Sequence, residues 1–493
     1  MTLKHDPQKA QKVFDPVFGS ALDAAAAIRS RKISSVELTE LAFRRIDALQ
    51  PKLNAYVYQL RESALERAKQ ADDAVARDMA RGSLHGVPVN VKESFGVQGM
   101  PCTWGNPMFK SSRAAQDSVP VRRLREAGAV LLGATNVPLN LTDCQSFNDI
   151  YGVSNNPWDL ARTPGGSSGG SAASLAAGLA YLSIGSDIGG SIRGPAAFCG
   201  VYGHKPTIDI VNMSGQLPGG AYQHPGFSSL LSASGPMART AEDLEAGLQI
   251  LAGPERPESK AMKWTLPAAR HRELRDFRIG YILEDPSVPV SAETTTVIES
   301  AVRACEKAGS KIAEGWPAGF NFPELIDMYL FMLGAFSFSM TPLEYQPQAR
   351  IRFEAESGQM AKGALSTFAE WQRYNLRRLA CRVLWEKYFE SCDVFLSPVM
   401  FTTAILHDHR PLEQRTVRTP EGKEHSYMDF LAYITPASLT GCPATAAPAG
   451  LSRSGLPVGL QIIGPYMEDA TPIGFARLLA NEIGGFQAPP EGI

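Results

Sequence analysis

The sequence predicts an α/β fold in which a β-sheet is covered by helices on both faces. Three observations carry this. Segments of helical periodicity alternate with short apolar runs: VRRLREAGAVLLGATN pairs a helix (Val121 to Glu126) with a strand (Ala129 to Leu132). The rhythm recurs over Ala172–Ile184, and again over Phe277–Leu283 (strand), Glu293–Ala308 (helix) and Ser310–Ala313 (strand). Finally, the 493 residues are 44% apolar and 20% charged, a globular balance, and no internal repeat or long linker divides them.

The charge balance narrows the function classes. With 48 basic and 50 acidic residues the formal net charge is −2, which leaves no electrostatic footprint for nucleic acid or an anionic membrane. The N-terminal stretch lacks the apolar core of a secretory signal. Seven cysteines, odd in number and with no CxxC pair, argue for a reducing, cytoplasmic setting and against a thiolate zinc site; no metal or cofactor is expected. The uncharged segment Met328 to Leu343 is shorter than a spanning helix, so it reads as a core or pocket-lining helix.

Taken in order, residues 20–80 are helical in pattern. Ser34 precedes an apolar stripe of Val36, Leu38, Leu41, Ile46 and Leu49, and Glu37 stands at the spacing of a capping box. A more polar helix follows, roughly Glu62 to Ala80. GVPVNVKESFGV is the first strand: Val87, Val89 and Val91 share one face, and Lys92 falls on the other with Asn90. Residues 254–275 are rich in proline and charge and read as a surface excursion, whereas residues 320–380 are helical and aromatic. Val394–Pro398 and Leu456–Ile463 return to the sheet.

The chain is organised around Pro164 to Arg193, PGGSSGGSAASLAAGLAYLSIGSDIGGSIR. Two glycine-bracketed serine clusters, Gly165 to Ser171 and Gly185 to Ser191, flank a helix over Ala172–Gly178 and a strand over Ala180–Ile184. That arrangement returns both loops to one end of a sheet. A flexible linker fits poorly, because Leu179 to Ile184 is an apolar run that demands burial. A phosphate-binding loop needs Lys-Ser or Lys-Thr after its last glycine, and Ser171 is followed by Ala172 and Ala173.

Ser191 is a candidate nucleophile, and such a hydroxyl needs a base. None of the eight histidines lies in a motif of this kind; His204 is the nearest in sequence. A lysine serves as base when burial or nearby positive charge keeps it neutral, and a second serine can relay the proton. The successive N–H groups of Ile188, Gly189, Gly190 and Ser191 are placed to supply an oxyanion hole for acyl transfer.

In these residues the chain resembles the amidase signature family. The matching stretches are LHGVPVNVKESF, NPWDLARTPGGSSGGSAASLAAGLA, GSDIGGSIRGPAAFCGVYGHKPT, SGPMART and GLPVGLQIIG, spread over residues 20 to 475. The resemblance implies a single α/β/α domain around a mixed sheet, 1–493. Within it stand an N-terminal helical cover (20–80), a signature core (85–250), a variable pocket region (255–390) and a C-terminal return to the core (391–493). It implies a Lys92–Ser167–Ser191 triad with a cis peptide before Ser167, and a supporting Asp187–Arg193 pair, whose plain alternative is a surface ion pair. The family pattern favours Ser167 over Ser168 and Ser171 as the relay.

Departures from the family pattern bear on substrate. Gly194 stands where relatives usually carry a bulky apolar residue, which predicts a wider space beside the nucleophile. Leu141, Thr142, Asp143 and Cys144 fall on a segment resembling a pocket wall but with an unusual carboxylate; residues 208–230 also diverge. The Tyr-Asp-Gly-Val-Arg-type motif of subunits that release ammonia from glutamine is absent between 320 and 380. The expectation is a stand-alone, cytoplasmic hydrolase of small-molecule amides with bulky or aromatic groups, with carbamates (urethanes) or esters as the alternative and a glutamine amidotransferase subunit as a less favoured one. It would be a monomer or homodimer without nucleic-acid or membrane partners. A catalytically silent binding protein on the same fold is the reading from another class.

Overall fold

The centre of the molecule is one mixed sheet of eleven strands. In the computed structural model, residues 14–218, 230–255 and 257–490 are described. The strands are β1 (Tyr56–Gln59), β2 (Pro88–Lys92), β3 (Val130–Thr135), β4 (Leu182–Asp187), β5 (Tyr202–Lys205) and β6 (Ala233–Ala238). They continue with β7 (Arg278–Tyr281), β8 (Lys311–Glu314), β9 (Val394–Pro398), β10 (Ala444–Leu451) and β11 (Pro457–Ile463). The spatial order is β1-β3-β2-β4-β6-β5-β10-β11-β9-β7-β8. Strands β3, β2 and β4 run parallel to one another, as do β9, β7 and β8, while β6, β5, β10 and β11 pair antiparallel.

Burial on both faces follows from the alternation of side chains along a strand. On β3, Leu131 and Ala134 join one core cluster with Val89, Val91, Leu244, Ile298 and Leu479. Val130 and Leu132 join the other, with Leu175, Ile192, Phe322 and Leu439. Helices Ala241–Leu251, Ala292–Lys307 and Ala470–Ile483 cover the first face; Gly169–Ala176, Arg193–Cys199, Phe322–Ser339 and Thr435–Thr440 cover the second. This is the single α/β/α domain that the sequence predicts.

Local signals behave as their chemistry dictates. Ser34 accepts from the Glu37 N–H at 3.0 Å and the Glu37 carboxylate takes the Ser34 N–H at 2.8 Å, so the capping box starts helix Ser35–Leu53. The N-terminal region is not wholly helical: Tyr56–Gln59 forms edge strand β1, paired antiparallel to β3, because its aromatic and branched side chains suit a half-buried pleat. The uncharged stretch from Met328 lies in helix Phe322–Ser339, where Met328, Tyr329, Phe331, Met332 and Gly334 are buried. Among the described residues no single helix is long and apolar enough to cross a membrane. Of the divergent segment 208–230, residues 219–229 lie outside the described part.

Candidate active site

Lys92 ends β2 and is fully buried. Its Nζ donates to Ser167 Oγ at 2.6 Å and to Ser186 Oγ at 3.0 Å. Burial pushes the amine down to about 7, against the opposing pull of the Asp187 and Glu93 carboxylates. A lysine normally stays charged well above neutrality, so this one is poised to shed its proton at physiological pH. Glu93, the next residue, is also enclosed. Burial raises its carboxyl to about 7, although the Thr103 and Trp104 N–H groups and the Thr103 and Tyr151 hydroxyls all donate to it.

Ser167 follows a cis peptide from Gly166. Gly166 has no alternative there: a Cβ would lie 2.2 Å from the Asp143 carbonyl oxygen and 2.8 Å from the Gln145 nitrogen. The neighbouring serines are placed elsewhere. Ser171 exchanges a hydrogen bond with Thr135 Oγ1 at 2.7 Å, and the buried Ser168 hydroxyl finds no partner among the described residues. Of the three candidate relays, Ser167 is the one that touches Lys92. The Ser168 N–H donates to the Ser191 carbonyl at 3.1 Å, which ties the two glycine-rich loops together as the sequence predicts.

The second loop, from Asp187 at the end of β4 to helix Arg193–Cys199, is built on a buried ion pair. Asp187 and Arg193 are both inaccessible to solvent, so the pair is no surface contact. The guanidinium grips the carboxylate with two bonds (Nε to Oδ2 at 3.0 Å, Nη2 to Oδ1 at 2.8 Å). Its remaining donors reach the Ile434 carbonyl, Gln461 Oε1 and Ser438 Oγ. Burial would raise the Asp187 carboxyl, but Arg193, Lys205 and backbone donors hold it at about 2. The carboxylate therefore stays charged and gathers the N–H groups of Gly190, Ile192 and Arg193. This corrects one expectation: the Gly190 N–H is committed to Asp187 Oδ1 at 2.9 Å and is not a free donor for an oxyanion. Ile188, Gly189 and Ser191 supply the other amides of the turn; those of Gly189 and Ser191 have no acceptor among the described residues. Ser191 is 7% exposed, and its hydroxyl is free of intramolecular hydrogen bonds among the described residues.

Apolar side chains and one tyrosine hydroxyl pack against this turn. A Cβ on Gly189 would meet Leu431 Cδ2 at 3.0 Å and Tyr329 Oη at 3.2 Å; one on Gly190 would meet Ile434 Cγ2 at 2.9 Å. Tyr329 donates to the Ile188 carbonyl at 3.0 Å, which brings helix Phe322–Ser339 against the nucleophile loop. Gly194 does not leave the opening that its missing side chain suggests: a Cβ there would lie 2.3 Å from Met400 Cε, so Met400 fills that space. Asp143 is not a free polar group either. Arg415 Nη1 bonds its Oδ2 at 2.6 Å, and the Tyr427 hydroxyl donates to Oδ1 at 2.6 Å. Leu141 and Cys144 are half-buried and Thr142 is exposed. Burial and the adjacent Asp143 push the Cys144 thiol up to about 12, so it stays protonated. Tyr329 lies on the segment read from sequence as a core or pocket-lining helix; sequence reasoning missed Ser186, Met400, Arg415, Tyr427 and Gln461. Only Ser186 carried a local signal, since it precedes Asp187 at the end of a strand beside Lys92.

Among the described residues no cluster of His, Cys, Asp or Glu is arranged to hold a metal ion. What the site can do is remove a proton from one hydroxyl, offer another to an electrophile, and donate backbone N–H groups to a developing oxyanion.

Comparison with known proteins identifies the family and the fold. The Amidase family model matches residues 37–472. A glutamyl-tRNA(Gln) amidotransferase subunit from Anaeromyxobacter dehalogenans (strain 2CP-C) is 33% identical over 505 residues, covering 95% of this chain and 97% of that protein. Among solved structures, an inhibitor-bound complex described as revealing the evolutionary origins of an s-triazine catabolic enzyme superposes with a TM-score of 0.80 at 25% identity, covering 96% of this chain and 100% of that one. A bacterial aryl acylamidase of the amidase signature family has the same fold, with a TM-score of 0.78 at 24% identity over 95% of this chain and 97% of that one. The chain belongs to the amidase signature family, whose members hydrolyse C–N bonds.

Proposed function

We propose that this protein is a stand-alone amide hydrolase that forms an acyl-enzyme on Ser191. The observation that carries the reading is the Lys92–Ser167 contact of 2.6 Å, with the amine brought to about 7 by burial. Neutral Lys92 takes a proton from Ser167, and Ser167 takes one from Ser191 as that oxygen attacks the substrate carbonyl. The amides of Ile188, Gly189 and Ser191 stabilise the oxyanion, and the proton returns by the same route to the departing amine. Water then repeats the sequence on the ester.

Substrate preference follows from the wall. Leu431, Ile434, Met400 and Tyr329 border the turn, and the nearby Asp143 is neutralised by Arg415. Such a site suits an uncharged acyl or aryl group; carbamates and esters of the same shape are alternatives on the same machinery. A second reading, release of ammonia from glutamine as a subunit of an amidotransferase, is favoured by the name and full-length similarity of the curated relative. Glutamine carries an ammonium and a carboxylate that this apolar wall does not match.

The test is turnover by the purified chain alone on acyl anilides, aryl carbamates, aryl esters and glutamine. Anilide hydrolysis with glutamine inert supports the proposal. Glutamine turnover that exceeds anilide turnover assigns the chain to the second reading.

A further inference from the structure

Between the two glycine-rich loops and the C-terminal third of the chain lies a segment, Asp143 to Ser146, whose polar groups the proposed proton transfers leave unused. It packs directly on the Ser167 loop. A Cβ on Gly166 would strike the Asp143 carbonyl at 2.2 Å, so the two backbones are in contact. Ser146, almost fully buried, spans the loop: its hydroxyl donates to the Gly165 carbonyl at 2.9 Å and accepts the Gly169 N–H at 3.2 Å. Ser167 lies between those two points of attachment.

The outer side of the same segment is held from far away in sequence. Arg415 and Asp143 form an ion pair of 2.6 Å whose side chains are 5% and 9% exposed. The Tyr427 hydroxyl donates to Asp143 Oδ1 at 2.6 Å, and the Gln145 N–H reaches the same oxygen at 3.0 Å. Gln145 exchanges two bonds with the backbone of Asp408, donating to its carbonyl at 2.8 Å and accepting its N–H at 3.0 Å. It also donates to the Tyr427 hydroxyl at 3.2 Å. Arg415 is itself fixed: its Nε donates to the Arg410 carbonyl at 2.6 Å, and its guanidinium carbon lies 5.5 Å and 5.1 Å from the ring centres of Phe147 and Tyr427. The Asp143 carboxylate and the Gln145 amide are thus both engaged by residues 408–427.

We propose that residues 408–427 act as a clamp on the Ser167 loop, with Asp143, Arg415 and Tyr427 as positioning residues that set the Ser167 hydroxyl between Lys92 and Ser191. None of the three touches Lys92, Ser167 or Ser191; they act through the backbone of Asp143–Ser146. The inference rests on the reading of Ser191 as nucleophile and Ser167 as relay. It predicts that loosening the clamp lowers the reactivity of Ser191 only as long as Ser167 is present, since a relay that is absent cannot be misplaced. A residue that merely stabilised the fold, or that contacted substrate, would show no such dependence.

The experiment is a double-mutant cycle on the full chain. Its readout is the second-order rate at which an alkyl fluorophosphonate labels Ser191, followed by intact mass, which requires no knowledge of the natural substrate. Tyr427→Phe removes one hydroxyl. It is expected to slow labelling about tenfold, the scale of loss that a sub-ångström misplacement produces. In the Ser167→Ala background the same substitution is expected to leave the residual rate unchanged. Asp143→Asn, which removes the charge and keeps an acceptor for Tyr427, is read in the same cycle, so a folding defect in one variant leaves the other decisive. Equal slowing with and without Ser167, or slowing below twofold in the Ser167 background, overturns the clamp. Failure of the unsubstituted protein to be labelled removes Ser191 as nucleophile, and the clamp with it.

Discussion

At the scale of single residues the decisive feature is a lysine in the wrong solvent. Lys92 is buried beside two hydroxyls, and its amine falls to about 7 because burial outweighs Asp187 and Glu93. Only the neutral amine accepts a proton, so kcat/KM should rise with pH through an ionisation near 7 and level off above it. Lys92→Met should remove both the limb and most of the activity; a limb that survives the substitution assigns it to another group. The same shift also makes stability depend on pH. The unfolded chain binds the lysine proton more tightly, so this group's contribution to stability rises as pH increases from about 7 towards the unperturbed value of 10.5. Below pH 7 the penalty is complete, and Lys92→Met should there melt higher than the unsubstituted protein. Ser191→Ala should lower kcat by about 10⁴-fold or more with no change in melting temperature. Ser168→Ala should be mild and Ser167→Ala severe, because of these two serines Ser167 is the one that touches the amine.

At the scale of elements, the turn after β4 stands on Asp187 and Arg193. Breaking one side of a buried pair leaves an uncompensated charge, so Arg193→Leu should cost about 3–5 kcal/mol, read by chemical denaturation. The Asp187 carboxyl lies at about 2, below the ordinary aspartate value of 3.8, so its contribution is present above 3.8 and is lost as pH falls towards 2. Met400 defines another element-scale outcome. Since its methyl occupies the space beside Gly194, Met400→Ala should raise kcat/KM for bulky anilides relative to small ones, and parallel changes on both would place Met400 outside the pocket.

These elements also show what the sequence could and could not disclose. Strands with branched residues or clear alternation, such as Val394–Pro398 and Leu456–Ile463, were legible to within a residue or two. Tyr202–Lys205, Ala233–Ala238 and Ala444–Leu451 were not, since ASGPMA and ATAAPAGL contain small residues and proline and are buried almost throughout, which erases the period of two. In the site, glycine-bracketed serines announce themselves locally. Arg415, Tyr427, Met400 and Gln461 do not, because their contacts with the loops close over more than 200 positions of chain, a separation that no local pattern encodes.

At the scale of the whole molecule, one sheet brings residues from β2, the two glycine-rich loops and the C-terminal strands to one point. Family membership accounts for that frame; substrate class depends on the side chains that surround it. A relative named as part of an amidotransferase and a neighbour named as an aryl acylamidase share the frame, so full-length similarity alone does not choose between their activities. The apolar wall predicts that the isolated chain is active on anilides without a partner protein, which size-exclusion chromatography coupled to an activity assay checks directly. The central claim is the covalent intermediate on Ser191, and mass spectrometry of the protein quenched during turnover of a p-nitrophenyl ester tests it most directly. The account predicts a burst of one equivalent of p-nitrophenol per chain and an acyl group located on Ser191. Turnover without an adduct, or an acyl group on Cys144 or Ser167 in place of Ser191, would contradict it.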